Sequence, residues 1–125
     1  MSSDNFGERK QRMNRKYPRV STSNLLYFEF VDTDGQSKIQ SHGKTVSLSE
    51  GGMLFQADRV IANGTEIDIQ FTLSEHLISA KGEVIYHLTK SGDHYDIGVR
   101  FTEIDDDNKI FIREKATGIF PLFKS

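Results

Sequence analysis

The sequence predicts a mainly β protein: a six-stranded antiparallel barrel with a C-terminal α-helix and a flexible basic N-terminal arm. Three observations carry that prediction. Six short stretches with apolar residues at every second position recur at roughly 10–12-residue spacing, the pattern of a small barrel or sandwich. After Asp105-Asp106-Asp107-Asn108 the apolar residues change to helical spacing. The first twenty residues hold Arg9, Lys10, Arg12, Arg15, Lys16 and Arg19 against Asp4 and Glu8, a net +4 that leaves −6 for the remainder.

Taken in order, residues 1–14 are polar and charged, with Phe6 and Met13 as their large apolar side chains, and are expected to form a flexible arm that orders on ligand binding. The barrel domain is expected over residues 15–120. Leu26, Phe28 and Phe30 alternate with Tyr27 and Glu29, and Asp32-Thr33-Asp34-Gly35 follows as a turn. A mostly polar strand from Gln36 to Leu48 returns antiparallel. Ser49-Glu50-Gly51-Gly52 breaks the chain before Met53-Leu54-Phe55, and Asn63-Gly64 signals a hairpin because both residues tolerate positive φ. Ile67, Ile69, Phe71 and Leu73 then face one way, with Glu66, Asp68, Gln70 and Thr72 facing the other. The same period places Ile78, Ala80, Gly82, Val84, Tyr86 and Leu88 on one face, and Tyr95, Ile97, Val99 and Phe101 on one face after a Ser91-Gly92-Asp93 turn. Closing the sheet into a barrel removes edges that few prolines protect here. The aspartate cluster supplies N-cap candidates and first-turn acids for a helix of about three turns, with Ile112, Ala116, Ile119 and Phe120 on its apolar side and Gly118 and Pro121 near its end.

Composition narrows the function. A chain of 125 residues, 36% hydrophobic and 27% charged with net charge −2, fits one soluble globular domain. The absence of cysteine excludes disulfides, thiolate metal sites and cysteine nucleophiles. No apolar core marks a signal peptide and no run approaches the ~18 residues of a membrane span, so a cytoplasmic location without membrane insertion is expected. Positive charge gathered at the entry to the fold favours a small anionic partner over general nucleic-acid binding, and no DNA partner is expected.

Four histidines, His42, His76, His87 and His94, stand 34, 11 and 7 residues apart with no i, i+4 pair, so a metal site is not indicated. Asp32-x-Asp34-Gly35 has the opening of a calcium loop but lacks the remaining acidic ligands. Ser47 and Ser49 have neither a histidine nearby in sequence nor a Gly-x-Ser-x-Gly elbow, and no stretch nominates an enzyme or a cofactor. What remains is Arg15 and Arg19 on either side of Pro18, together with the serine-glycine break. Guanidinium groups bond phosphates and the O6/N7 edge of guanine in bidentate fashion. Ser47 and Ser49, two residues apart in an extended segment, point to one face, and Gly51-Gly52 permits close approach of a ligand.

These residues resemble the PilZ domain family of cytoplasmic bacterial receptors for the second messenger cyclic di-GMP. The family signature is Arg-x-x-x-Arg followed, after the first strand pair, by Asp/Asn-x-Ser-x-x-Gly. Arg15-Lys16-Tyr17-Pro18-Arg19 matches the first part in full. Ser47-Leu48-Ser49-Glu50-Gly51-Gly52 matches the second at Ser49 and Gly52, and Ile97-Gly98-Val99-Arg100-Phe101 is similar to the family's last barrel strand. The resemblance implies a barrel against whose surface the ligand lies while the arginine segment wraps over it. Arg15 and Arg19 would contact phosphates and guanine edges, Ser49 would hydrogen-bond the ligand, and Gly52 would leave room for it. Arg9 and Arg12 stand outside the motif, where they add contacts or simply raise the local charge. Ser47 occupies the Asp/Asn position. Its shorter hydroxyl loses one good polar pair, about 1–3 kcal/mol or roughly one to two decades in affinity.

The expected function is therefore a non-catalytic cyclic di-GMP receptor that changes its arm and surface on binding and signals to a downstream protein of motility, polysaccharide export or transcription. Two alternatives stand beside it. One is a ligand-independent adaptor of the same fold whose basic arm docks on an acidic protein. The other is a nucleic-acid-binding small barrel, which would show steeply salt-dependent affinity for single strands.

Overall fold

A computed structural model describes residues 17–90 and 92–118 of the chain. The expectations for the arm over residues 1–14, for Arg9, Arg12 and Arg15, for Ser91, and for Ile119, Phe120 and Pro121 lie outside the described residues.

The chain forms β1 (Arg19–Ser21), β2 (Leu25–Val31), β3 (Lys38–Ser49), β4 (Gly52–Ala57), β5 (Glu66–Leu73), β6 (His76–Thr89), β7 (Tyr95–Ile104) and α1 (Asp106–Thr117). All pairings are antiparallel. β3 pairs β2, β2 pairs β5, and the ladder continues through β6 and β7 to β4, which pairs back to β3 and closes six strands into a barrel. The expected six-stranded barrel with a terminal helix is present, and β1 is a further strand. β1 meets the last residues of β3, with Arg19 opposite Ser49 and Ser21 opposite Ser47, while β4 holds the other edge of that same segment. β1 therefore continues the path that β2 takes farther along β3.

Alternation fills the barrel. β5 is buried at every second residue, Ile67, Ile69, Phe71 and Leu73, as its sequence predicts. Leu26, Phe28, Leu48, Phe55, Ile78, Val84 and Ile97 complete the interior, and the Phe28 and Phe55 rings meet at 5.3 Å. Each such side chain contributes about 1.5–3 kcal/mol by leaving water. α1 contacts β1 and β3, with Ile112 fully buried against the barrel. Its C-terminus closes at Gly118, whose φ of 73° is the left-handed cap and whose N–H bonds the Glu114 carbonyl at 2.9 Å. Asp105 occupies the N-cap but its side chain makes no capping bond, and Asp106 and Asp107 place negative charge in the first turn. Among the described residues no helix is long and apolar enough to cross a membrane.

Two expectations are corrected. Asn63-Gly64 does form a turn, with the Thr65 N–H bonded to the Ala62 carbonyl at 3.1 Å, but the strands on either side are not partners. β4 and β5 lie on different sides of the ring, and the connection crosses between them with Ile61 buried. The tight two-residue hairpin instead joins β5 to β6 at Ser74-Glu75, both at positive φ (51° and 68°), a conformation that neither residue type advertises. Tyr86 and Leu88 do not share the inward face of Ile78 to Val84. Ile85 is an extra residue between the pairs Val84–Val99 and Tyr86–Gly98, and this bulge reverses the phase of the strand.

Candidate ligand-binding site

Arg19 and the serine-glycine break, 28 residues apart from Arg19 to Ser47, are brought side by side because β1 pairs with the end of β3. Pro18 biases Tyr17 away from helix and the chain enters extended. Beyond β1 it stays zipped to β3: the Thr22 N–H bonds the Val46 carbonyl at 3.0 Å, the Thr45 N–H bonds the Asn24 carbonyl at 2.8 Å, and the Asn24 N–H bonds Thr45 Oγ1 at 2.8 Å.

A bulge decides which way the serines face. Thr45 opposes Phe55 and points into the core, but Ser47 opposes Leu54, so Val46 is an extra residue. Without it Ser47 and Ser49 would continue the inward phase of Thr45. With it they turn to the outer face with Arg19, whose Nη1 donates to Ser47 Oγ at 3.1 Å. Ser49 lies directly across from Arg19 and is 4% exposed. Its hydroxyl donates to the Gly52 carbonyl (3.3 Å) and accepts the Gly51 N–H (3.2 Å), so it also holds the turn together.

The two glycines serve different neighbours. A Cβ on Gly52 would lie 2.2 Å from the Val99 carbonyl oxygen, so this residue lets β4 close on β7. A Cβ on Gly51 would meet the Tyr17 ring at 2.6 Å, so its bareness makes room for the residue before Pro18. Glu50, between Ser49 and Gly51, is gripped by Arg113 of α1, with Nε–Oε2 at 3.0 Å and Nη2–Oε1 at 2.8 Å. That bond is the main reason the Glu50 carboxyl is held below the usual carboxylate range. The helix is thus fastened to the same turn that carries Ser49 and Gly52.

Tyr17, Arg19, Ser49, Gly52, Tyr86 and Gly98 line a cleft of about 270 Å³ on the outside of the barrel. Arg100 flanks it and is paired with Glu83. Burial raises the Tyr86 phenol above its ordinary pKa, with the Arg19 charge opposing the shift, so the ring is a neutral phenol at physiological pH. A wider depression of about 550 Å³ over Tyr27, His42 and Gln70 is walled by solvent-exposed polar side chains, some paired with one another, such as Gln40 with Glu29 at 2.9 Å. It holds none of the motif residues. The four histidines do not converge: His42 lies at the edge of Tyr27, His76 bonds Asn108, His87 bonds Asn63 and His94 pairs with Asp93. Ser47, Ser49, Gly52 and Arg19 are together at this face. Tyr86 and Gly98 join them and were not singled out from sequence, since only the unforeseen bulge at Ile85 brings Tyr86 outward.

The chain belongs to the PilZ domain family, which matches residues 13–116 and whose members are cyclic di-GMP receptors rather than enzymes. Solved structures with the same fold include the inhibitor of motility MotI/DgrA of Bacillus subtilis, at 13% identity and TM-score 0.70 over 83% of this chain and 50% of that one. The MrkH–c-di-GMP complex of K. pneumonia matches at 16% identity and TM-score 0.62, over 81% and 50% of the two chains. The PilZ domain of YcgR from Escherichia coli, solved with c-di-GMP, matches at 13% and TM-score 0.58, over 83% and 89%. The chain spans about half the length of MotI/DgrA and MrkH, and at these identities the likeness concerns the fold. No curated protein sequence matches the chain significantly.

Proposed function

We propose that this chain is a cytoplasmic cyclic di-GMP receptor whose ligand lies in the cleft between β1 and the Ser47–Gly52 turn. The observation that carries this is the pairing of Arg19 with Ser47 and Ser49 on one outer face, reached only through a strand and a bulge that the barrel itself does not require. Arg19 supplies a planar cation for phosphate or a guanine edge. Arg15, from the segment before Tyr17, completes the pair, and Arg12 adds charge or contact. Ser47 and Ser49 offer hydroxyl oxygens, and Gly52 keeps the turn tight. Residues 1–14 act as the arm that reorganises on binding, residues 15–120 as the receptor domain, and the changed surface is read by a downstream protein. Calorimetric titration with cyclic di-GMP tests this: heat of binding is expected at ligand concentrations on the order of tens of micromolar. Folded protein that gives none refutes it.

The second reading, a ligand-independent adaptor, is favoured by Ser47, which replaces the carboxylate or amide of the family signature, and by the internal bonds of the Ser49 hydroxyl. It predicts that Arg19→Ala weakens a protein complex in the absence of nucleotide.

A further inference from the structure

The bulge at Ile85 is costly on its face. It interrupts the β6–β7 ladder, leaves Ile85 and Leu88 exposed, and withdraws a tyrosine from the interior. What it achieves is an aromatic ring in the cleft with Arg19 and Ser49. The bulge at Val46 does the same for Ser47 and Ser49, so two independent phase reversals aim side chains at one patch of outer wall.

The ring's posture is set by Gly98, the residue across from Tyr86. A Cβ on Gly98 would fall 2.3 Å from Cε2, 2.5 Å from Cζ and 2.7 Å from Cδ2 of Tyr86. Three adjacent ring atoms at nearly equal distance put that point above the ring's face; beyond an edge, the flanking atoms would recede by close to a further ångström. The tyrosine, a residue lining the cleft, therefore lies flat on the barrel wall, one face on the Gly98 backbone and the other turned away from the wall. Any other residue at position 98 would lift it. A flat, neutral aromatic ring beside a guanidinium is the pairing that takes a nucleobase by its face and its phosphate by charge.

We propose that Tyr86 is a base-stacking residue of this site, its outward face receiving a guanine of cyclic di-GMP while Arg19 engages the phosphate. The proposal rests on the nucleotide-receptor function above. It is tested by calorimetry with cyclic di-GMP on the full chain, as wild type, Arg19→Ala, Tyr86→Leu and Tyr86→Phe, with tyrosine emission recorded in the same titrations and thermal unfolding checked for each. The sequence has four tyrosines and no tryptophan, so ring stacking reports directly in that emission. Tyr86→Leu is expected to weaken binding about tenfold or more, and Tyr86→Phe, which keeps the ring, to rescue most of that loss. Ligand is expected to quench wild-type emission, with a smaller quench in Tyr86→Phe. If wild type binds and Arg19→Ala does not, but Tyr86→Leu stays within about twofold of wild type, the stacking role is overturned while the receptor function stands. A Tyr86→Phe quench equal to wild type overturns it as well, even if Tyr86→Leu fails to fold. Silence of folded wild type, or binding unchanged in Arg19→Ala, overturns the nucleotide site itself and stacking with it.

Discussion

Gly52→Ala separates two roles for a motif glycine, clearance for ligand and clearance for the barrel wall. The added methyl would stand 2.2 Å from the Val99 carbonyl oxygen, 3.2 Å from its carbon and 3.3 Å from Arg100 Cα. All three obstacles are backbone. Relief requires β4 to move off β7 by about an ångström at the Gly52–Arg100 pair, where the Ser49 bond to the Gly52 carbonyl and the Phe101 bond to the Gly51 carbonyl are also anchored. Overpacking against an unyielding wall costs about 1–3 kcal/mol, and the strained ladder places this case at the upper end. In urea that loss lowers the unfolding midpoint by about 1–2 M at unchanged slope. Gly51→Ala is the matched contrast. Its obstacle is the Tyr17 ring, a side chain 36% exposed that swings aside, so the expected loss is under about 1 kcal/mol. Equal midpoints for Gly52→Ala and wild type would refute the wall as the reason for this glycine.

Other outcomes follow from the same contacts. Arg113→Ala leaves Glu50, whose side chain is 11% exposed, without its bidentate partner, and a urea midpoint below that of wild type is expected. The Glu50 carboxyl is held below its ordinary value, so the contribution of this pair is complete above the unfolded carboxylate pKa and is lost as pH falls through the lower folded one. Acid titration of stability should be shallower in Arg113→Ala than in wild type. Ser47→Asp places a carboxylate where the hydroxyl now accepts from Arg19; equal or tighter cyclic di-GMP binding is expected, and a clear weakening would contradict the assigned place of Ser47 in the site. Ile112→Ala empties the fully buried contact of α1 and should cost about 2–5 kcal/mol in thermal or urea unfolding.

Where neighbouring strands demand strict alternation, period two in the sequence located the elements well, as in β2, β5 and the first half of β6. It failed at the bulges, because one extra residue leaves composition untouched and reverses every later side chain. Val46 and Ile85 are ordinary strand residues; only their partners reveal that two residues face one. Period two alone consequently puts Tyr86 inside, and its position in the cleft is illegible in the sequence. β1 is invisible to periodicity for a related reason: three residues, Arg19-Val20-Ser21, carry no measurable period, and their pairing is dictated by the free edge of β3 beyond β2. Asn63-Gly64 gave its turn correctly but not its partners, since a local conformational preference says nothing about which strands the barrel sets side by side. The polar residues of the motif were legible because chemistry and spacing, and not burial, single them out. What sequence could not show was how Ser49, Gly51 and Gly52 divide their work between the turn, the Tyr17 ring and the wall.

The most direct test of the receptor function is calorimetric titration of the full chain with cyclic di-GMP beside Arg19→Ala. Binding by wild type on the order of tens of micromolar or tighter, lost in folded Arg19→Ala, is the predicted result. Folded wild type that takes up no ligand, or an Arg19→Ala variant that binds as well as wild type, would contradict it.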